Sequence, residues 1–227
     1  DIITDQALKW LKHRDTKKPF FLMTQHKAPH GRWEPAFRHL KTFEDIDIPE
    51  PPTLFDNFAG RTAAPANHAM GIADHMGPHR LMFRYSSKFT PEQFKIFDGH
   101  YRPRNEAFEK SGLTGKARTR WNYQRYIKNY LRCVKAVDEN IGRMLKYLDQ
   151  TGLAKNTVVI YSSDQGFWLG EHGWFDKRWM YEESLHTPLL VRWPGVTKPG
   201  STNDALVSNL DFAETFLDIA RTETPKD

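Results

Sequence analysis

"NTVVIYSSDQGFWLGEHGWFDKRWMYEES", residues 156–184, opens as one kind of sequence and ends as another. It begins as a β-branched apolar run, the pattern of a buried strand. From Asp164 it turns into Asp, Gln, His, Gly and Trp, a mixture foreign to a core strand. In open α/β sheets, ligands gather beyond the carboxyl ends of strands. A strand that ends this way is therefore a candidate site.

Upstream, Ile127, Leu131, Val134, Ile141, Leu145 and Leu148 recur every three or four residues. That spacing predicts a long amphipathic helix from about Trp121 to Gly152. Downstream, "TPLLVRWPG" reads as another strand closed by a Pro-Gly turn. "DFAETFLDIA" reads as a helix with Asp211 at its N-cap and Glu214 three residues on. Near the start, "ITDQALKWLKHR" predicts a helix capped by Thr4 or Asp5. The apolar residues 20–23 in "KKPFFLMTQH" predict a buried strand that runs into a polar cluster. The order of elements predicts an α/β fold with a mixed, largely parallel sheet sandwiched by helices. Residues from about 45 to 115 have no steady period and are punctuated by proline. They read as a long loop-rich excursion, too aromatic to be plain disorder.

The chain has 227 residues, enough for one large domain or a major part of one. No apolar run reaches membrane-spanning length, and no leader is visible. A net charge of +5 favours an anionic partner over a neutral one. The single cysteine, Cys133, excludes an internal disulfide and, inside the predicted helix, reads as buried and inert. No N-glycosylation sequon is present.

Two strand ends carry chemistry-bearing residues. Residues 20–23 lead to Lys27 and His30, and the strand before Ser162 leads to Asp164 and Gln165. A carboxylate beside an amide oxygen makes a pair of hard oxygen ligands, suited to Ca²⁺ and less to Zn²⁺. The alternative is a turn-capping Asp beside a solvated Gln. His30 has the side chain most used for acid–base work near neutral pH, or it is an ordinary loop histidine. Lys177 could neutralise an anion, or pair with neighbouring Asp176. His172 sits between two glycines and reads equally as a turn residue. Residues 116–135 are rich in Lys and Arg interleaved with Trp and Tyr. They read as a polyanion surface or as one solvated helix face.

The segments "PFFLMTQHKAPHGRWEPAFRHL", "YLRCVKAVDENIGRMLKYLDQTGLAKNTVVIYSSDQGFWLGEHGWFDKRWMYEES" and "TPLLVRWPG", taken together, resemble the type I, formylglycine-dependent sulfatases of the alkaline phosphatase superfamily. Among these they look most like the members that act on glycans. The resemblance covers about 40% of the chain. It implies hydrolysis of sulfate esters on a sulfated sugar, a partner that is neither nucleic acid nor membrane. It also implies Ca²⁺, with Mg²⁺ less suited, held by Asp164 and Gln165. His30 and Lys177 match the groups at the leaving oxygen. Lys27, His172 and Arg178 lie in matched stretches as weaker substrate contacts. The family's C/S-x-P/A-S/A-R segment, which yields formylglycine, has no counterpart in the sequence. The nucleophile is therefore expected outside residues 1–227, with the chain as the latter part of a catalytic domain. A secreted, periplasmic or lysosomal setting would follow. Two alternatives are a phosphate or phosphonate ester hydrolase of the same superfamily and a non-catalytic polyanion-binding fragment.

Overall fold

A computed structural model describes residues 1–223 and 225. The chain opens with α1 (Ile2–His13), which buries Ala7 and Leu11, the spacing of one helix face. Its N-cap is Asp1, with no side-chain cap bond, so neither Thr4 nor Asp5 caps it. Thr4 is fully buried, and its hydroxyl meets His26 Nε2 at 2.8 Å. Its oxygen is thereby committed to a distant loop.

Residues 45–90 are turns, bends and one short 3-10 helix. From Pro91 the chain enters α2 (Pro91–Ser111), which the broken periodicity hid. Thr90 starts it with a reciprocal cap: its Oγ1 accepts from Gln93 N, and Gln93 Oε1 accepts from Thr90 N. Pro91 occupies the first turn, where its missing N–H costs nothing. Pro103 lies inside the helix, and only Phe97, His100, Tyr101 and Asn105 are buried. The apolar stripe is therefore narrow.

The predicted long helix is α3 (Gly115–Gln150), closed by Thr151 and a left-handed Gly152. It is the axis of the main core. Tyr123, Tyr126, Ile127 and Cys133 pack there with Trp33, Leu54, Ile72 and Phe175. After α3 come β1 (Val159–Ser162), β2 (Trp168–Leu169), β3 (Phe175–Asp176), the one-turn helix α4 (Glu182–Leu185), β4 (Leu189–Arg192) and α5 (Asp211–Ile219). β1 pairs with β4, and β2 with β3, both antiparallel. Thus the ladders within the described residues are antiparallel two-stranded pairs, where the sequence pattern suggested a largely parallel sheet. Residues 20–23 join no ladder. A strand exists only through a neighbour's hydrogen bonds, and the segments packed on residues 20–21 are helical: Trp10 of α1 meets Phe20, and Phe216 of α5 meets Phe21. α5 begins after Leu210, so Asp211 is its first helical residue and not its cap. The Asp211 carboxylate instead accepts from Ser208 N at 2.6 Å.

Candidate functional site

Three segments bearing the predicted site residues converge on one aromatic cluster. Trp33 is 1% exposed and lies three residues after His30. Its ring meets Phe167 edge-on at 6.1 Å, Phe175 at 6.3 Å and Tyr126 at 4.6 Å. Phe167 lies two residues after Gln165, and Phe175 two before Lys177. Such edge-to-face rings pack with preferred geometry as well as buried area. One cluster thus holds the His30 turn, the turn of Asp164 and Gln165, and the Lys177 segment to α3.

Each turn is fixed further by its own bonds. His30 N donates to Lys27 O at 2.9 Å, and Trp33 Nε1 donates to Pro29 O at 2.9 Å. His30 Nδ1 lies 3.0 Å from Gly31 O. A carbonyl only accepts, so Nδ1 carries the proton and Nε2 is the nitrogen free for chemistry. At the second turn, Ser163 Oγ donates to Gln165 O at 2.9 Å, and Asn209 Nδ2 donates to Asp164 O at 2.8 Å. Gly166 N donates to Ser184 O, and a Cβ at Gly166 would stand 2.1 Å from Glu183 O. Only glycine lets the turn press so closely on α4.

Backbone atoms alone anchor Asp164 and Gln165, which leaves their side chains available. Among the described residues the Asp164 carboxylate has no cationic partner, and its one contact is Ser163 Oγ at 3.5 Å. A carboxylate and an amide oxygen fit a hard cation as part of a ligand set. No group of three or more His, Cys, Asp or Glu among the described residues could hold a metal. The pair would need ligands beyond it.

Lys177 is half-buried and makes no ion pair among the described residues. The plain alternative, pairing with Asp176, is not what forms: Asp176 faces Arg178 at 3.9 Å. Lys27 shares the His30 turn and is exposed. Arg178 is exposed and engaged with Asp176.

His172 points into a different environment. Its ring sits among Trp168, Trp174 and Tyr181, at 5.4–5.8 Å between ring centroids for the neighbouring pairs. Its Nδ1–H donates to Asp56 Oδ2 at 2.5 Å, and its backbone N donates to Thr53 Oγ1 at 3.0 Å. Burial alone would raise the Asp56 pKa. The Phe58 N–H, the His172 ring and the Arg61 guanidinium outweigh it and bring it down to about 2. The ring of His172 is committed to this brace. Asp56 and Asn209 carried no sequence signal, because their partners lie 116 and 45 positions away.

The basic run 116–135 is not an open stripe. Arg132 is 4% exposed, Arg120 pairs with Glu50, Lys128 with Asp47 and Lys135 with Asp138. Cys133 is buried, as its place in the helix predicted, and burial pushes its thiol up to about 12.

The aromatic packing thus gathers the segments that carry His30, Asp164 with Gln165, and Lys177 on one core. The chain belongs to the sulfatase family, whose model matches residues 1–222. It is 45% identical to the N-acetylglucosamine-6-O-sulfatase of Bacteroides thetaiotaomicron, over 100% of this chain and 44% of that protein. It is 28% identical to human N-acetylglucosamine-6-sulfatase, over 97% of this chain and 32% of that one. A solved structure in complex with its substrate D-glucosamine-2-N,6-O-disulfate matches with a TM-score of 0.92 at 44% identity, over 100% of this chain and 49% of its own. The chain therefore spans less than half the length of these relatives. The α/β class expected from the sequence is that of the family, the alkaline-phosphatase-like fold.

Proposed function

We propose that the protein hydrolyses a sulfate ester on a sugar, with this chain supplying one wall of the site and the latter part of the catalytic domain. The observation that carries this reading is the shared packing of Trp33, Phe167 and Phe175, which ties His30, Asp164 with Gln165, and Lys177 to one core. A 6-O-sulfated glucosamine unit is the substrate we favour, because the relatives' names specify that chemistry. Exposed Leu189, Leu190 and Val191 on β4 support further sheet packing in the complete domain. No helix among the described residues is long and apolar enough to cross a membrane. Action on secreted, periplasmic or lysosomal glycans fits the reading.

Cleavage of a sulfate ester builds negative charge on the bridging oxygen. His30, with its Nδ1–H held by the Gly31 carbonyl, would take a second proton on Nε2 and, as the imidazolium, give that proton to the bridging oxygen. Lys177, which pairs with no carboxylate among the described residues, would stabilise the same charge as a fixed cation. Asp164 and Gln165 would hold Ca²⁺, which when bound neutralises the non-bridging sulfate oxygens. The formylglycine nucleophile would come from outside residues 1–227. Lys27, at the edge of the His30 turn, and Arg178 are placed to meet the rest of the sugar.

The test is sulfate release from N-acetylglucosamine 6-sulfate by the full-length protein, before and after chelation. The reading expects turnover that chelation abolishes and Ca²⁺ restores. Equal or faster turnover of the matching phosphate ester, restored by Zn²⁺, would replace it with the phosphatase reading.

A further inference from the structure

A cavity of about 820 Å³ lies between α2, α3 and residues 44–50. Trp121, Gln124, Arg125, Lys128 and Arg132 line it from α3. At 3.6 residues per turn these five share one helix face. Tyr126 and Tyr130, which pack on Trp33 and Phe167, lie on the opposite face. The cavity and the His30 arrangement thus sit on opposite sides of α3 and share no lining residue.

The charges in this cavity are matched only in part. Glu44 pairs with Arg104, Asp47 with Lys128 and Glu50 with Arg120. Arg125 and Arg132 are left with neutral partners. Arg125 donates to Leu81 O and Asn105 Oδ1 and lies over the rings of Tyr101 and Trp121. Arg132 donates to Thr42 O and Asn129 Oδ1. Neither forms an ion pair among the described residues. Burial lowers the pKa of both, that of Arg125 to about 10.

His100 completes the lining. It is 8% exposed, and its buried Nε2 has no hydrogen-bond partner among the described residues. Burial first, then the charges of Arg132, Arg125 and Lys41, bring its pKa down to about 4. It is a neutral ring at pH 7. A buried cation without a counter-ion and a sealed polar atom without a partner are each costly. One oxyanion in the cavity would match the charge of the two guanidiniums through charge-assisted bonds. Phe108 and Trp121, stacked at 3.8 Å, add an apolar wall beside them.

We propose that this cavity is an oxyanion-binding site on the far side of α3 from His30. It takes a sulfate or carboxylate group, free or carried on a sugar ring. The sugar-borne form rests on the glycan reading above, whereas oxyanion binding itself does not.

The test is calorimetric titration of full-length protein carrying Lys177→Ala with three probes: inorganic sulfate, N-acetylglucosamine 6-sulfate and N-acetylglucosamine. Both sulfated probes are expected to bind and the neutral sugar not to. Tighter binding of the sulfated sugar assigns the ring to the aromatic wall, and equal binding assigns the oxyanion alone. Ala107 lines the cavity from an exposed position on α2, so its substitutions spare the core. Ala107→Glu is expected to weaken sulfate binding about tenfold, the scale of one like charge brought near the ligand. Ala107→Lys is expected not to weaken it, and Arg125→Met should abolish it. No sulfate binding, or binding unchanged by both Ala107→Glu and Arg125→Met, would overturn the proposal. No turnover is read, so failure here leaves the hydrolase reading standing.

Discussion

Trp33 meets Phe167 edge-on, with ring centroids 6.1 Å apart and planes at 83°. This contact joins the His30 turn to the turn of Asp164 and Gln165 across more than a hundred residues of chain. Trp33→Ala should cost about 3–5 kcal/mol, the range for emptying a buried aromatic site. Trp33→Phe keeps a ring but loses the bond to the Pro29 carbonyl. It should cost less stability than Trp33→Ala while still lowering turnover in the full-length protein. Denaturant titration of both variants, beside kcat/KM, checks the ordering.

Gly166→Ala should be severe. Its new methyl would overlap the Glu183 carbonyl, a backbone atom that cannot rotate away. Overpacking of this kind costs about 1–3 kcal/mol. The displaced turn carries Asp164 and Gln165, so turnover should fall together with thermal midpoint. Gly77→Ala, where nothing lies within 4 Å and φ is not positive, is the comparison for substitution without a clash.

Several features were legible because they are local. Apolar residues three or four apart announced α3, and the β-branched run announced β1, after which Asp164 and Gln165 follow. α2 was hidden because Pro103 broke its pattern and few of its side chains are apolar, although Thr90-Pro91-Glu92-Gln93 spelled its cap. Residues 20–23 looked like a buried strand because they are an apolar run, but they form no ladder, and Phe21 and Met23 are exposed. The packing of Trp33 on Phe167 and the bond from His172 to Asp56 were illegible. They join positions 134 and 116 apart, and no periodicity records such pairs.

Asp56 predicts an acid-dependent component of stability. Its folded pKa of about 2 lies below its ordinary value of 3.8. The stabilisation is therefore complete above about pH 4 and drains away as pH falls toward 2. Asp56→Asn should cost about 2 kcal/mol at neutral pH, the scale of a hydrogen bond to a charged group. The gap between wild type and variant should narrow below pH 4 in denaturant titrations. A constant gap from pH 7 to pH 3 would remove Asp56 as its source.

Cys133 should be silent in the native state. Its thiol is buried and pushed up to about 12, so thiolate is scarce at pH 8. A thiol reagent should label the native protein far more slowly than the denatured protein. Labelling at equal rates would show that the core around α3 opens readily.

We propose that the aromatic cluster presents His30, Asp164 with Gln165, and Lys177 to one sulfate ester. The deciding measurement is kcat/KM for sulfate release from N-acetylglucosamine 6-sulfate in full-length wild type, His30→Ala and Lys177→Ala. Each substitution should lower the value about 10²–10⁴-fold, the range for losing a positioned acid or charge stabiliser, with the thermal midpoint near that of wild type. Stably folded variants that release sulfate at the wild-type rate would contradict it.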